Sequence, residues 1–107
     1  MRLTRLAAAA PAALLAFAMV PAAIAHTPLF SCYDNGDGTV LCEGGFSDGS
    51  SAAGTRTAVL DGNGTVLLEG SLDDFGEFIF DIPDGNYTVL FDAGDGHQIE
   101  IPDEDIF

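Results

Sequence analysis

Lysine is absent from this sequence, and arginine occurs three times, as Arg2, Arg5 and Arg56. Against 17 acidic side chains this gives a formal net charge of −14 at pH 7. Every acidic residue lies at or beyond Asp34, so the 82 residues after Ala25 hold 1 basic and 17 acidic side chains, a balance of −16. Such a surface has no cations with which to displace phosphate counterions, which excludes a direct nucleic-acid binder. It also argues against adsorption to an anionic membrane. The length of 107 residues excludes a multidomain enzyme. Beyond Val20 no apolar run approaches the roughly 20 residues of a membrane span, and no helical stripe of useful length is present. Ser47, Ser50, Ser51 and Ser71 lack a nucleophile motif, and neither histidine has a Ser-x-Gly partner nearby. The chain is therefore expected not to be an enzyme. Its acidity fits either a field that gathers cations around a metal site or the surface of a salt-adapted organism's exported protein.

What is present begins with an address. In MRLTRLAAAAPAALLAFAMVPAAIA (residues 1–25), two arginines precede an apolar run, and Ala23-Ile24-Ala25 is the small-x-small pattern of a signal-peptidase site. The expected division is a signal peptide over 1–25 and one domain over 26–107, periplasmic or secreted, with no stable membrane anchor after cleavage. Cleavage after Ala25 gives His26 a free α-amine.

The remainder reads as short strands between turn residues. Strands are predicted over Leu29 to Tyr33, Thr39 to Phe46, Arg56 to Leu60, Thr65 to Leu72, Glu77 to Ile82, Tyr87 to Phe91 and His97 to Ile101. Asp34-Asn35-Gly36-Asp37-Gly38 and Asp61-Gly62-Asn63-Gly64 carry the Asn-Gly and Asp-Gly steps of hairpin loops. Seven short strands argue for an all-β, seven-stranded antiparallel β-sandwich. The expected core is Phe46, Val59, Leu60, Val66, Leu68, Leu72, Phe78, Phe80, Ile82, Tyr87, Val89, Phe91, Ile99 and Ile101. A domain this small needs reinforcement. Cys32 and Cys42 follow an export signal and lie on opposite arms of the first hairpin; in a turn centred near Asp37, residues whose numbers sum to 74 face each other, so a disulfide is expected. Two thiolate metal ligands are the alternative, and they require a reducing compartment.

The stretch from about Leu41 to Ile101 resembles the carboxypeptidase regulatory-like (transthyretin-like) β-sandwich. The likeness rests on Asp73-Asp74-Phe75-Gly76-Glu77-Phe78 as a D-x-x-G-x-F step and on Pro83-Asp84-Gly85-Asn86-Tyr87-Thr88-Val89 as P-x-G-x-Y-x-V. It implies a fold and is nearly silent on activity. A narrower likeness takes in Ala25-His26-Thr27-Pro28, the D-G-T-V hairpin at Asp37 to Val40, and Gly44-Gly45-Phe46-Ser47-Asp48-Gly49. With these the chain is similar to periplasmic accessory subunits of nickel/cobalt energy-coupling-factor transporters, which carry a histidine just past the leader. That resemblance implies components of a metal-uptake transporter as partners. The sequence ends at Phe107 without the C-terminal membrane helix of those subunits, so a free periplasmic partner is expected. Transthyretin-like hydroxyisourate hydrolases need a His/Arg/His set and a Tyr-Arg-Gly-Ser tail; the tail here is acidic and Arg56 is the sole arginine after the leader, so that activity is not expected.

An amino-terminal histidine offers a metal its α-amine and Nδ1 in one compact chelate, a donor set suited to Cu2+ or Ni2+. His97 is the candidate second ligand, with Asp92 or Asp95 as a further oxygen ligand or as a hydrogen-bond acceptor behind the histidine. The bland alternative makes His26 a frayed terminus and His97 an ordinary strand-end residue. The Asp/Gly loops cluster oxygens, but neither matches a 12-residue calcium loop, and turn chemistry explains them. The expected function is a non-enzymatic metal-binding accessory for Ni2+, Co2+ or Cu2+. The alternative is a structural or protein-interaction β-sandwich with no metal site.

Overall fold

The computed structural model describes residues 27–107. Residues 1–26, and with them the expected leader, its cleavage site and His26, lie outside the described residues. The chain forms β1 (Pro28–Asp34), β2 (Thr39–Phe46), β3 (Arg56–Asp61), β4 (Val66–Ser71), β5 (Glu77–Asp81), β6 (Tyr87–Asp92) and β7 (Gln98–Pro102), then a 3-10 turn over Asp103–Asp105. All pairings between these strands are antiparallel. They build a three-stranded sheet of order β1-β2-β5 and a four-stranded sheet of order β4-β3-β6-β7. The chain makes the β1–β2 hairpin, crosses over for β3–β4, returns for β5, and crosses again for β6–β7.

Turn chemistry fixes the hairpins. Asp34 Oδ1 accepts the Gly36 N–H at 2.7 Å, and Asp37 Oδ1 accepts both the N–H and the hydroxyl of Thr39 at 3.0 and 2.6 Å. Asp61 Oδ1 takes the N–H groups of Asn63 and Thr65, and Asp73 Oδ1 those of Phe75 and Glu77, each at 2.9 Å. These carboxylate oxygens terminate backbone donors of their own loops, the ordinary use of aspartate in turns. The first hairpin then sets its register: every β1–β2 pair sums to 74, and Cys32 lies directly opposite Cys42. The two are joined as a disulfide.

That disulfide belongs to the core. Cys32, Val40, Cys42 and Phe80 from the smaller sheet pack against Val59, Tyr87 and Val89 from the larger one, so the two sheets face each other in a sandwich-like arrangement. A second cluster joins Ala52, Leu72 and Phe91, with Phe30, Phe46, Phe78 and Ile99 against it. The sheets approach closely where Gly70 of β4 meets Phe78 of β5: a Cβ at Gly70 would stand 2.7 Å from the ring.

Val66 and Leu68, expected in the core, are each 44% exposed. They lie on β4, an edge strand of the larger sheet, and the β3–β4 register slips between Val59 and Leu60. Four strands face three, and β4 is exposed from Val66 to Glu69, before it reaches Gly70. Ile82 is also exposed, because β5 ends at Asp81 and the chain turns away. Val40 and Cys42 fill the central positions instead, and both are fully buried. The acidic tail is fastened to the domain. Ile106 packs on the core, and the Phe107 carbonyl accepts the Asp34 N–H at 2.9 Å, closing one end of the sandwich.

Candidate functional site

The β6–β7 turn presents His97. Ala93 N–H donates to the His97 carbonyl at 3.1 Å, and His97 N–H donates to the Gly94 carbonyl at 2.9 Å, so the backbone at His97 is held from both sides. Its half-buried ring places Nδ1 3.2 Å from the Asp95 carbonyl oxygen. A carbonyl can only accept, so this contact requires a proton on Nδ1. In the neutral ring the lone pair is then on Nε2, which has no hydrogen-bond partner among the described residues. A backbone carbonyl holding one ring N–H is the usual arrangement behind a histidine whose other nitrogen binds a metal.

Asp92, proposed from sequence as an oxygen donor, is engaged elsewhere. Its Oδ1 accepts from Gly94 N–H and Gln98 Nε2, both at 3.0 Å, and its Oδ2 accepts from Arg56 at 3.1 Å. Arg56 also reaches Glu69 Oε1 at 2.8 Å. This row of Glu69, Arg56, Asp92 and Gln98 crosses the outer face of the larger sheet over all four strands. Sequence reading missed it because the signal is the register Arg56↔Asp92, between residues 36 apart. Asp95 lends its backbone carbonyl to His97, and its side chain is exposed. Among the described residues, no three His, Cys, Asp or Glu side chains form a metal cluster.

The Gln98 amide, then the Gly94 N–H, then Arg56 hold the Asp92 carboxyl below its ordinary value of 3.8. A depressed folded-state pKa stabilises above the unfolded value and loses that contribution as pH falls through the folded one. Asp92→Asn should therefore lower the thermal midpoint at pH 7. The gap from wild type should begin to narrow near pH 3.8 and close below the native Asp92 pKa. Paired thermal melts across pH 2–7 check it; a gap independent of pH would remove the ionised carboxylate from the explanation.

The start of the described chain lies at the His97 end of the sandwich. Thr27 N–H donates to Ser47 Oγ at 3.2 Å, and Ser47 N–H donates back to the Thr27 carbonyl at 2.9 Å. Phe30 of β1 and Phe46 of β2 pack on Phe91 with ring centroids 5.2 and 6.2 Å away, and Phe91 pairs with Ile99 of β7. Strands β1 and β7 are in contact across one edge of the sandwich. With Asp34 fastened to Phe107 at the far end, β1 and β7 run the same way and begin at one corner. A cleft of about 410 Å3 lies at the opposite end, lined by Tyr87, Thr88, Asp103, Glu104 and their neighbours. Burial, then Asp103 and Asp34, push the Tyr87 hydroxyl above its ordinary pKa.

No protein-family model matches this chain, and neither a curated protein nor a solved structure matches it.

Proposed function

We propose that the protein is an exported, non-enzymatic binding protein for a divalent transition-metal ion (Ni2+, Co2+ or Cu2+), serving as an accessory to a metal-uptake transporter. The observation that carries this reading is the His97 ring, whose Nδ1–H is taken by the Asp95 carbonyl and whose Nε2 is left as a donor. The corner geometry supports it further. His26 is bonded to Thr27, and Thr27 is tied to Ser47 where β1 and β7 begin. After cleavage behind Ala25, the α-amine and Nδ1 of His26 would join Nε2 of His97 as three nitrogen donors. That set favours Cu2+ and Ni2+ over harder ions. With Asp92 bound to Arg56 and Gln98, remaining coordination positions fall to water or to the Asp95 carboxylate. The disulfide fits an oxidising compartment. The resemblance to carboxypeptidase regulatory-like domains and to nickel/cobalt transporter accessories belongs to this proposal.

Calorimetric titration with Ni2+ and with Cu2+ tests it, on protein whose amino terminus has been fixed by intact mass. One equivalent is expected to bind, and His26→Ala and His97→Ala should each weaken affinity by at least about 10–100-fold. Affinity should fall as pH is lowered, because protons compete with the metal for nitrogen donors. Binding unchanged in both variants would leave only scavenging by surface carboxylates and would favour the interaction-module alternative.

A further inference from the structure

We infer that the outer face of the three-stranded sheet docks a protein partner that presents apolar side chains within a basic rim. Cys32, Val40, Cys42 and Phe80 point into the core, so strand alternation turns Tyr33, Leu41 and Ile79 outward. These three are direct cross-strand partners, Tyr33↔Leu41 and Leu41↔Ile79, and they form an apolar bar across all three strands. Tyr33 is 48% exposed and Ile79 60%. The outer face of the other sheet differs. There Ala58 is fully buried, and the Glu69–Arg56–Asp92–Gln98 row lies across the same four strands. A contiguous apolar patch left uncovered and rimmed by polar groups marks an interaction site.

The rim identifies the chemistry of the occupant. The row beside the bar is Ser31↔Glu43↔Glu77, which sets two carboxylates directly opposite each other. Like charges so placed repel. Arg56 is the sole Lys or Arg among the described residues, and it is bonded to Glu69 and Asp92 on the other sheet. On the far side of the bar, Thr39 pairs with Asp81. An arginine or lysine from a partner would relieve the Glu43–Glu77 repulsion while its apolar neighbours cover Tyr33, Leu41 and Ile79. A second copy of this chain would bring another acidic surface, and an anionic membrane would be repelled. Tyr33 lies beside Asp34, toward the end of the sandwich away from His97, so this inference does not rest on the metal reading.

The test uses 15N-labelled protein and two peptides of equal positive charge, one alternating Lys and Leu, the other Lys and Ser. Lys/Leu peptide should shift amide signals over residues 31–33, 41–43 and 77–81. Ile79→Thr should weaken it at least 5-fold while leaving the Lys/Ser peptide unchanged, and Ile79→Val should restore it. The Glu43→Gln/Glu77→Gln pair should weaken both peptides at least 3-fold. Four results would overturn the inference. They are no binding of the Lys/Leu peptide, shifts spread over the acidic loops, shifts of these same residues with protein concentration alone (a second copy), and shifts induced by phosphatidylcholine vesicles without peptide.

Discussion

Replacing the disulfide with the Cys32→Ala/Cys42→Ala pair should lower the thermal midpoint by roughly 10–20 °C. The bridge joins residues 10 apart in sequence. In the chain-entropy picture, closing so short a loop contributes about 2–3 kcal/mol by restricting the unfolded chain. Native packing adds to this, since Cys32 and Cys42 are both buried in the main cluster. Two alanines would leave a void between Val40, Phe80 and Val89, with a further cost of about 1 kcal/mol or more. A domain of this size has roughly 5–10 kcal/mol in total, so the loss is a large share of it. Calorimetry with and without reductant measures the effect; a shift below about 3 °C would mean that the bridge contributes little.

Gly76→Ala should be the most damaging single alanine substitution in the turns, at about 3 kcal/mol. Gly76 has φ +74°, which an L-residue adopts at a cost of about 1–2 kcal/mol. The added Cβ would also stand 2.6 Å from the Gly44 carbonyl oxygen, a backbone atom with no side-chain freedom to yield. That approach is part of the structure, because Gly44 N–H donates to the Gly76 carbonyl at 2.8 Å and so ties the start of β5 to β2. Gly36 supplies the control. Its φ is +76°, but nothing lies within 4 Å of its would-be Cβ. Gly36→Ala should therefore cost only the backbone term, and chemical denaturation should show Gly76→Ala at least twice as damaging. Equal losses would show that the Gly44 contact relaxes freely.

The strands were legible because their signals are local. Asp-Gly and Asn-Gly turns bound each run, and alternation such as Phe78, Phe80 against Glu77, Asp81 shows which residues share a face. The Cys32–Cys42 bridge was legible for the same reason, since a hairpin's register follows from its turn. Non-local facts were not. Val66 and Leu68 read as core residues from hydropathy alone; their exposure follows from β4 being an edge strand above a narrower sheet, which depends on strand order. Asp92 reads as a candidate ligand from its nearness to His97, whereas its partner Arg56 comes from a different hairpin. The outward bar of Tyr33, Leu41 and Ile79 likewise needs the β2–β5 pairing, which joins strands separated by a whole hairpin of the other sheet. The Nδ1 contact of His97 was out of reach because it depends on the conformation of one turn.

The most direct measurement on the metal reading counts imidazoles. Pulsed electron paramagnetic resonance of the protein loaded with one equivalent of Cu2+ should show two coordinated imidazoles, falling to one in His97→Ala, with nitrogen rather than oxygen dominating the donor set. A spectrum unaltered by His97→Ala, or one with oxygen donors alone, would contradict it.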